Sequence, residues 1–382
     1  MRVPQQRVAF VFYPHAGVRL DSMPFAVHII KRLALSGWHV DVFLWTRFDE
    51  RNSKLPENVH YKYVGMKTSP ASLQIAELTL RFMGHTRYRC VFSVGQIGSY
   101  IGAIISAASR CPYVLLNDEF PSFWSHSRWT YLERWGASRA DVIVVPSEDR
   151  CDTLREELQI EATRPFVTIR NSPELNLPII HRNWHKVMGI PRGKKIFVHA
   201  GFLGDWTQVP EILASVSYWP EDAILLLHSR SQDEAVRYRR QVSHLENPER
   251  VFWSLEPLSE DLLNSLVSYC DGCFALYRGH PNNELMGTSS GKLMRSIVCG
   301  TPVLVSSFKS LEFVTREGLG IQIRHPSEIP IAVCNLMRNR ETYRAHCTRY
   351  AASESSLREI GWAKLVETVA EAPRGIVLTN PR

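Results

Sequence analysis

Compact apolar runs alternate with segments of helical spacing along most of the chain. Val8-Ala-Phe-Val-Phe-Tyr13 is an uninterrupted apolar run that leaves into Pro14, His15, Ala16 and Gly17. A run of that length bounded by turn residues predicts a buried strand. Phe25, Ile29, Ile30, Leu33 and Leu35 follow at helical spacing within Met23 to Ser36, and Gly37 stands where a helix C-terminus favours glycine. Val40 to Trp45 predicts the next strand. Strand, helix and strand in this order make a βαβ unit. The alternation continues with strands over Cys90–Val94, Tyr113–Leu116, Ala140–Val145 and Phe166–Ile169, and with helices over Tyr100–Ser109 and from Ser147 to about Leu158.

The texture then changes. Pro165, Pro173, Pro178 and Pro191 bracket a polar stretch, which predicts a linker over 174–193 between a first domain, 1–173, and a second, 194–354. In the second domain strands are predicted over Lys195–Ala200, Ala223–His228, Val251–Ser254, Gly272–Tyr277 and Val303–Ser306, with another beginning at Leu319. Helices are predicted over Asp261–Tyr269 and Lys292–Cys299, and through most of the tail from Pro326 to Ala372. The expected architecture is α/β: two Rossmann-like domains, each built on a parallel sheet, facing a central cleft.

Length and composition agree with this. A chain of 382 residues suits about two domains, and 45% hydrophobic with 22% charged residues is ordinary globular usage. No apolar run reaches the roughly 18 to 20 residues needed to cross a bilayer, and the polar start does not read as a secretory signal. The expectation is a cytoplasmic protein. Its eight scattered cysteines are then reduced, buried thiols, and Cys270-x-x-Cys273, without a second pair at ligand spacing, belongs to the core. The net charge of +7 is concentrated: from Arg51 to Tyr100 there are seven Lys/Arg against two Asp/Glu. Within it, Arg81 to Arg89 mixes bases with aromatics. That patch suits peripheral contact with an anionic membrane face or an acidic ligand, or is a solvated basic surface. No nucleic-acid motif accompanies it, so nucleic acid is not an expected partner.

Candidate chemistry should follow the strands, because ligands of open α/β sheets bind beyond their C-terminal ends. Gly201-Phe-Leu-Gly204 follows one strand, and its glycines would let backbone N–H groups approach a phosphate. The stretch Asn282-Asn-Glu284-Leu-Met-Gly-Thr-Ser-Ser290-Gly-Lys292 reads as a small-residue loop entering a helix. Lys292 lies in the first turn, where a purely structural role would favour an acid, so it is expected to meet a diphosphate. Ser290 offers a hydroxyl or a helix cap, while Asn283 and Glu284 could take sugar or ribose hydroxyls. Asn117-Asp118-Glu119 follows the strand at Tyr113–Leu116, which makes Asp118 a candidate base. His15 is a second catalytic candidate, with Gly17, Arg19 and Asn117 as acceptor contacts. No His/Cys/Asp/Glu grouping has metal-ligand spacing, and there is no Gly-x-Ser-x-Gly elbow. Neither a metal nor a cofactor is expected.

The stretch Ser290-Gly-Lys292-Leu-Met-Arg-Ser-Ile-Val-Cys-Gly300-Thr-Pro302-Val303 resembles a motif of the GT-B fold glycosyltransferases, especially the family 4 (group 1) enzymes: Ser, Lys, a short apolar helix, then Gly-x-Pro-Val. Gly37-Trp-His-Val40, Ala140-Asp141 through Ser147, Gly201-x-x-Gly204 and Asp271 before its strand are similar to further family patterns. The resemblance implies transfer of a hexose from a nucleotide-diphosphate sugar, bound by the second domain, to a hydroxyl of a glycan, lipid-linked or small-molecule acceptor held by the first. It also implies metal independence, and a final helix, 355–382, that crosses back to the first domain around Trp362. The chain departs from the family at several places. Arg295 stands at the second of a glutamate pair, where it would add a cation to the donor site. The first glutamate falls at Gly287, with Glu284 as a displaced substitute. Phe202 and Asn117 replace an Arg and a His. A non-catalytic relative that binds nucleotide sugar or a partner transferase, and a sugar-nucleotide epimerase, are the alternatives these departures leave.

Overall fold

The first sheet has seven strands in the order β3-β2-β1-β4-β5-β6-β7, all parallel. In chain order these are β1 (Arg7–Phe12), β2 (His39–Leu44), β3 (Val59–Tyr63), β4 (Cys90–Val94), β5 (Tyr113–Leu116), β6 (Val142–Val145) and β7 (Phe166–Thr168). The structure, a computed structural model, describes residues 7–13, 20, 23–44, 55–63, 88–120, 129–173 and 180–373. The central strands are buried along their whole length, β4, β5 and β6 at every residue, so a continuous apolar run is what a strand covered on both faces requires. Edge strand β3 has only its first residue buried. Its sequence, Val-His-Tyr-Lys-Tyr, carries no such run.

Helix Pro24–Leu35 starts on Pro24, whose missing N–H costs nothing in a first turn, and ends before Gly37 at φ 86°. Helices Gln96–Ser109, Trp129–Ala137 and Cys151–Leu158 complete the described helical layers. Gly102 shows how closely they sit: a Cβ there would lie 2.8 Å from the Cβ of Ser93 on β4 and 2.8 Å from the ring of Tyr113 on β5.

The second sheet is also wholly parallel, six strands in the order β10-β9-β8-β11-β12-β13. They are β8 (Lys195–Ala200), β9 (Ala223–His228), β10 (Val251–Ser254), β11 (Gly272–Ala275), β12 (Val303–Ser306) and β13 (Gly320–Ile323). The strand order reverses between β8 and β11, as it does between β1 and β4 in the first sheet. Those reversals are where doubly wound sheets bind ligands.

Contacts divide the chain into Met1–Asn171 with Arg358–Arg382, and Ser172–Leu357. Residues 180–193, part of the predicted linker, belong to the second unit. They contain the short helix Trp184–Met188, and Trp184 is fully buried with its indole N–H donating to Ser265 at 3.0 Å. The last helix, Arg340–Glu371, supplies residues to both units, and its Trp362, Leu365 and Val369 lie in the core of the first with Phe10, Ile30 and Val144. Among the described residues no helix is long and apolar enough to cross a membrane.

Candidate active site

Gly201 follows β8 directly and has φ 133°, a conformation that L side chains rarely adopt. A Cβ on it would meet nothing nearer than Lys292 Cε, at 3.8 Å. The structure therefore brings together two residues 91 positions apart that the sequence assigns to one site. Lys292 lies in the first turn of helix Gly291–Val298. Its Nζ is 3.2 Å from His199 Nε2 and 5.4 Å from the centre of the Tyr277 ring. Burial pulls the ammonium down to about 8, because little solvent remains to stabilise its charge. His199 is fully buried, and desolvation, with Lys292 adding to it, holds its imidazole neutral well below the usual range.

Ser290 is fixed by the fold. Its Oγ accepts the Leu293 N–H at 3.2 Å as the helix N-cap and lies 2.6 Å from the Tyr277 hydroxyl. A cation, a helix N-terminus and an open glycine turn at the C-terminal edge of a sheet form an arrangement suited to phosphate. Strand positions β8 and β11 on either side of the reversal supply His199 and, just beyond, Tyr277.

Other expected residues take different roles. Gly204 does not open onto a ligand: a Cβ there would fall 2.2 Å from the Phe202 ring, so this glycine seats that ring. The predicted loop before Lys292 is instead two short helical turns, Pro281–Glu284 and Gly287–Ser289. Asn283 is buried and donates its side-chain N–H to the Arg278 carbonyl at 2.9 Å. Glu284 is exposed, and its backbone carbonyl accepts from Ser310. Arg295 is not a donor-site cation. Its guanidinium is buried, donates to Asn264 Oδ1 and lies 3.9 Å from Glu260, so it ties its helix to the neighbouring helix Glu260–Tyr269.

In the first unit, Asn117 and Asp118 follow β5 as expected, but Asn117 turns inward. Its side-chain N–H donates to Glu133 Oε1 at 3.2 Å, and both residues are buried, so Asn117 is a structural partner and not an outward acceptor contact. Burial pushes Asp118 up to about 7, with Glu119 raising it further and the Arg150 cation opposing. Burial also pushes Glu133 up to about 8. Arg150 is buried, with its guanidinium 4.3 Å from the Phe120 ring. His15, Gly17 and Arg19, and most of the basic stretch from Arg81, lie outside the described residues.

Sequence reasoning misses His199, Tyr277, Glu133 and Arg150. A histidine inside an apolar strand run is the one signal that was present. The two cysteines at Cys270 and Cys273 are buried free thiols, raised by desolvation, as the core reading expects. Among the described residues no group of three His/Cys/Asp/Glu could hold a metal. A cavity of about 810 Å³ in the second unit lies near Tyr269, Gly300 and Arg344, by the N-terminal ends of β11 and β12 and away from Gly201.

No family model and no curated protein matches the chain. Solved structures do. Sucrose-phosphate synthase from Thermosynechococcus elongatus superposes over 95% of this chain and 98% of its own, with TM-score 0.71 and 14% identity. HepE from Anabaena, solved with UDP-glucose, matches over 95% and 100%, again with TM-score 0.71 and 14% identity. The chain has the GT-B fold. The GT-B likeness extends to a Listeria monocytogenes protein named for UDP-N-acetylglucosamine 2-epimerase activity, at TM-score 0.63 and 12% identity over 97% and 98%. Each comparison covers nearly the whole length of both chains.

Proposed function

We propose that the protein is a glycosyltransferase that binds a nucleotide-diphosphate sugar on its second unit. The observation that carries this reading is the convergence of Lys292 with the open turn at Gly201 beyond β8, beside the strand-order reversal. The ligand of HepE, UDP-glucose, is the kind of molecule such a site suits. Lys292 and the N-terminus of its helix would meet the diphosphate charge, and exposed Glu284 would take a sugar hydroxyl. No metal or cofactor is invoked, because the cation is supplied by the chain. Asp118 would accept the proton of the attacking hydroxyl. With its carboxyl raised to about 7 it is near the pKa that a general base needs at neutral pH. The acceptor is a glycan, a lipid-linked saccharide or a small molecule, and the basic stretch Arg81 to Arg89 would favour a lipid-linked one at an anionic inner membrane face.

The test is thermal stabilisation by UDP-, GDP- and dTDP-sugars. A ligand at 100 times its dissociation constant should add about 2.7 kcal/mol. Lys292→Ala should remove a charge-assisted contact of roughly 1.5–3 kcal/mol. No stabilisation by any nucleotide sugar, or equal stabilisation of the Lys292→Ala protein, would end the proposal. A second reading, epimerisation of the sugar nucleotide, is favoured by one observation: the fold is shared with a protein named for UDP-N-acetylglucosamine 2-epimerase activity. Conversion of the sugar nucleotide without acceptor would select it.

A further inference from the structure

His199 Nε2 has two neighbours. Lys292 Nζ lies 3.2 Å away and the Phe202 carbonyl oxygen 3.0 Å away. One nitrogen cannot serve both: carrying hydrogen it donates to the carbonyl, and bare it accepts from the ammonium. The Phe202 carbonyl also has Thr207 Oγ1 at 3.2 Å, although that hydroxyl lies closer, at 2.8 Å, to the Gly204 carbonyl. Among the described residues no other acceptor lies within hydrogen-bonding distance of the ammonium. The groups that face it from the packed elements are His199 on β8, the thiol of Cys273 on β11 and the Tyr277 ring beyond β11. Arg295, one turn along its own helix, is engaged by Asn264 and Glu260. The fold leaves His199 Nδ1 buried without a hydrogen-bond partner, which is the cost of using the other nitrogen.

We propose that His199 is a positioning residue: its bare Nε2 holds the Lys292 ammonium beside Gly201, so that the cation stands ready for a phosphate. A neutral acceptor is suited to this. A carboxylate in its place would fix the ammonium equally well but would cancel its charge and compete with the incoming anion. A strand-borne imidazole also places its nitrogen through a rigid backbone, next to the turn that the phosphate approaches. The surrounding burial keeps the ring uncharged, so it does not repel the cation it holds. This inference rests on the nucleotide-sugar reading of the same site.

The experiment measures dissociation constants for UDP and for inorganic pyrophosphate in four proteins: the wild type, His199→Leu, His199→Gln and His199→Glu. His199→Leu should weaken both ligands at least tenfold. His199→Gln, which restores a neutral acceptor, should stay within about threefold of wild type. His199→Glu should weaken binding like Leu at neutral pH while moving the alkaline loss of affinity, set by Lys292, to higher pH. Nitrogen-15 spectra of the full chain should show His199 with hydrogen on Nδ1 and a bare Nε2, and the Nε2 signal should shift in Lys292→Met. Wild-type-like binding by a folded His199→Leu protein, or hydrogen found on Nε2, overturns the proposal. If the wild type binds neither ligand, the nucleotide reading is lost, while the nitrogen spectra still decide whether His199 holds Lys292.

Discussion

Asp141 and Asp271 do the same job in the two units. Asp141, just before β6, accepts the Tyr113 N–H at 2.8 Å, and Asp271, just before β11, accepts the Ile196 N–H at 2.8 Å. Each carboxylate closes the N-terminal edge of the neighbouring strand, at the end of the sheet opposite the candidate site residues. Asp271 also pairs with Arg340 at 2.8 Å. These aspartates thus account for two of the sequence similarities through sheet construction. Asp271→Ala should cost about 2–4 kcal/mol, for a buried hydrogen bond and a partly buried ion pair lost together. Urea denaturation measures the loss, and nucleotide affinity below the transition should stay unchanged.

Lys292 should be a stability liability in the unliganded protein. Its folded value, about 8, lies below the ordinary 10.5, so between those pH values the unfolded chain holds more protons than the native one. Native stability therefore rises with pH across that window, and below it the buried charge is a standing cost. Lys292→Met should be more stable than wild type at pH 7, on the order of 1–3 kcal/mol, with the gap closing by pH 10. Denaturation curves at the two pH values check this. A methionine variant less stable at pH 7 would show that the ammonium is well accommodated.

Glu133 titrates in the opposite sense. Its folded value of about 8 lies above the ordinary 4.5, so the native protein holds the extra proton in between. Its contribution is full below pH 4.5 and is lost as pH rises through 8. Glu133→Gln keeps an oxygen to accept from Asn117 and removes the ionisation. It should gain roughly 1–3 kcal/mol over wild type at pH 8.5 and nothing at pH 5, read from paired denaturation curves.

Arg295 offers a test of whether motif resemblance or local packing decides a role. Arg295→Glu introduces the residue found at this place in the enzymes the motif resembles, but puts a carboxylate beside Glu260 and Asn264 in a buried seam. It should destabilise by about 3 kcal/mol or more, through lost hydrogen bonding and like-charge contact, without improving nucleotide affinity. Arg295→Ala should cost less and also leave affinity alone. Calorimetric titration with UDP separates the two effects.

The sheets were legible because their central strands are buried on both faces and so carry unbroken apolar runs. Edge strand β3 was not, since Val59 is its one buried residue, and the helix Trp129–Ala137 has no run that announces it. The approach of Lys292 to Gly201 could be expected from residue type at strand ends. His199 stood out in its apolar run, but its pairing did not, because a strand's period says which way a side chain points and nothing of the lysine that arrives from a helix. Gly204 misled for a local reason: the sequence shows a glycine but not the Phe202 ring that fills its vacant side. Glu133 joins the Asn117 segment only through the packing of the helices Gln96–Ser109 and Trp129–Ala137.

The shared helix Arg340–Glu371 sets an order of assembly. A nascent chain that has just completed Leu357 possesses every residue of the second unit, yet its first unit still lacks Trp362, Leu365 and Val369. Domains usually finish in the order in which they are translated. Here the half that emerges first is sealed last, and it must wait for the closing residues before its core is complete.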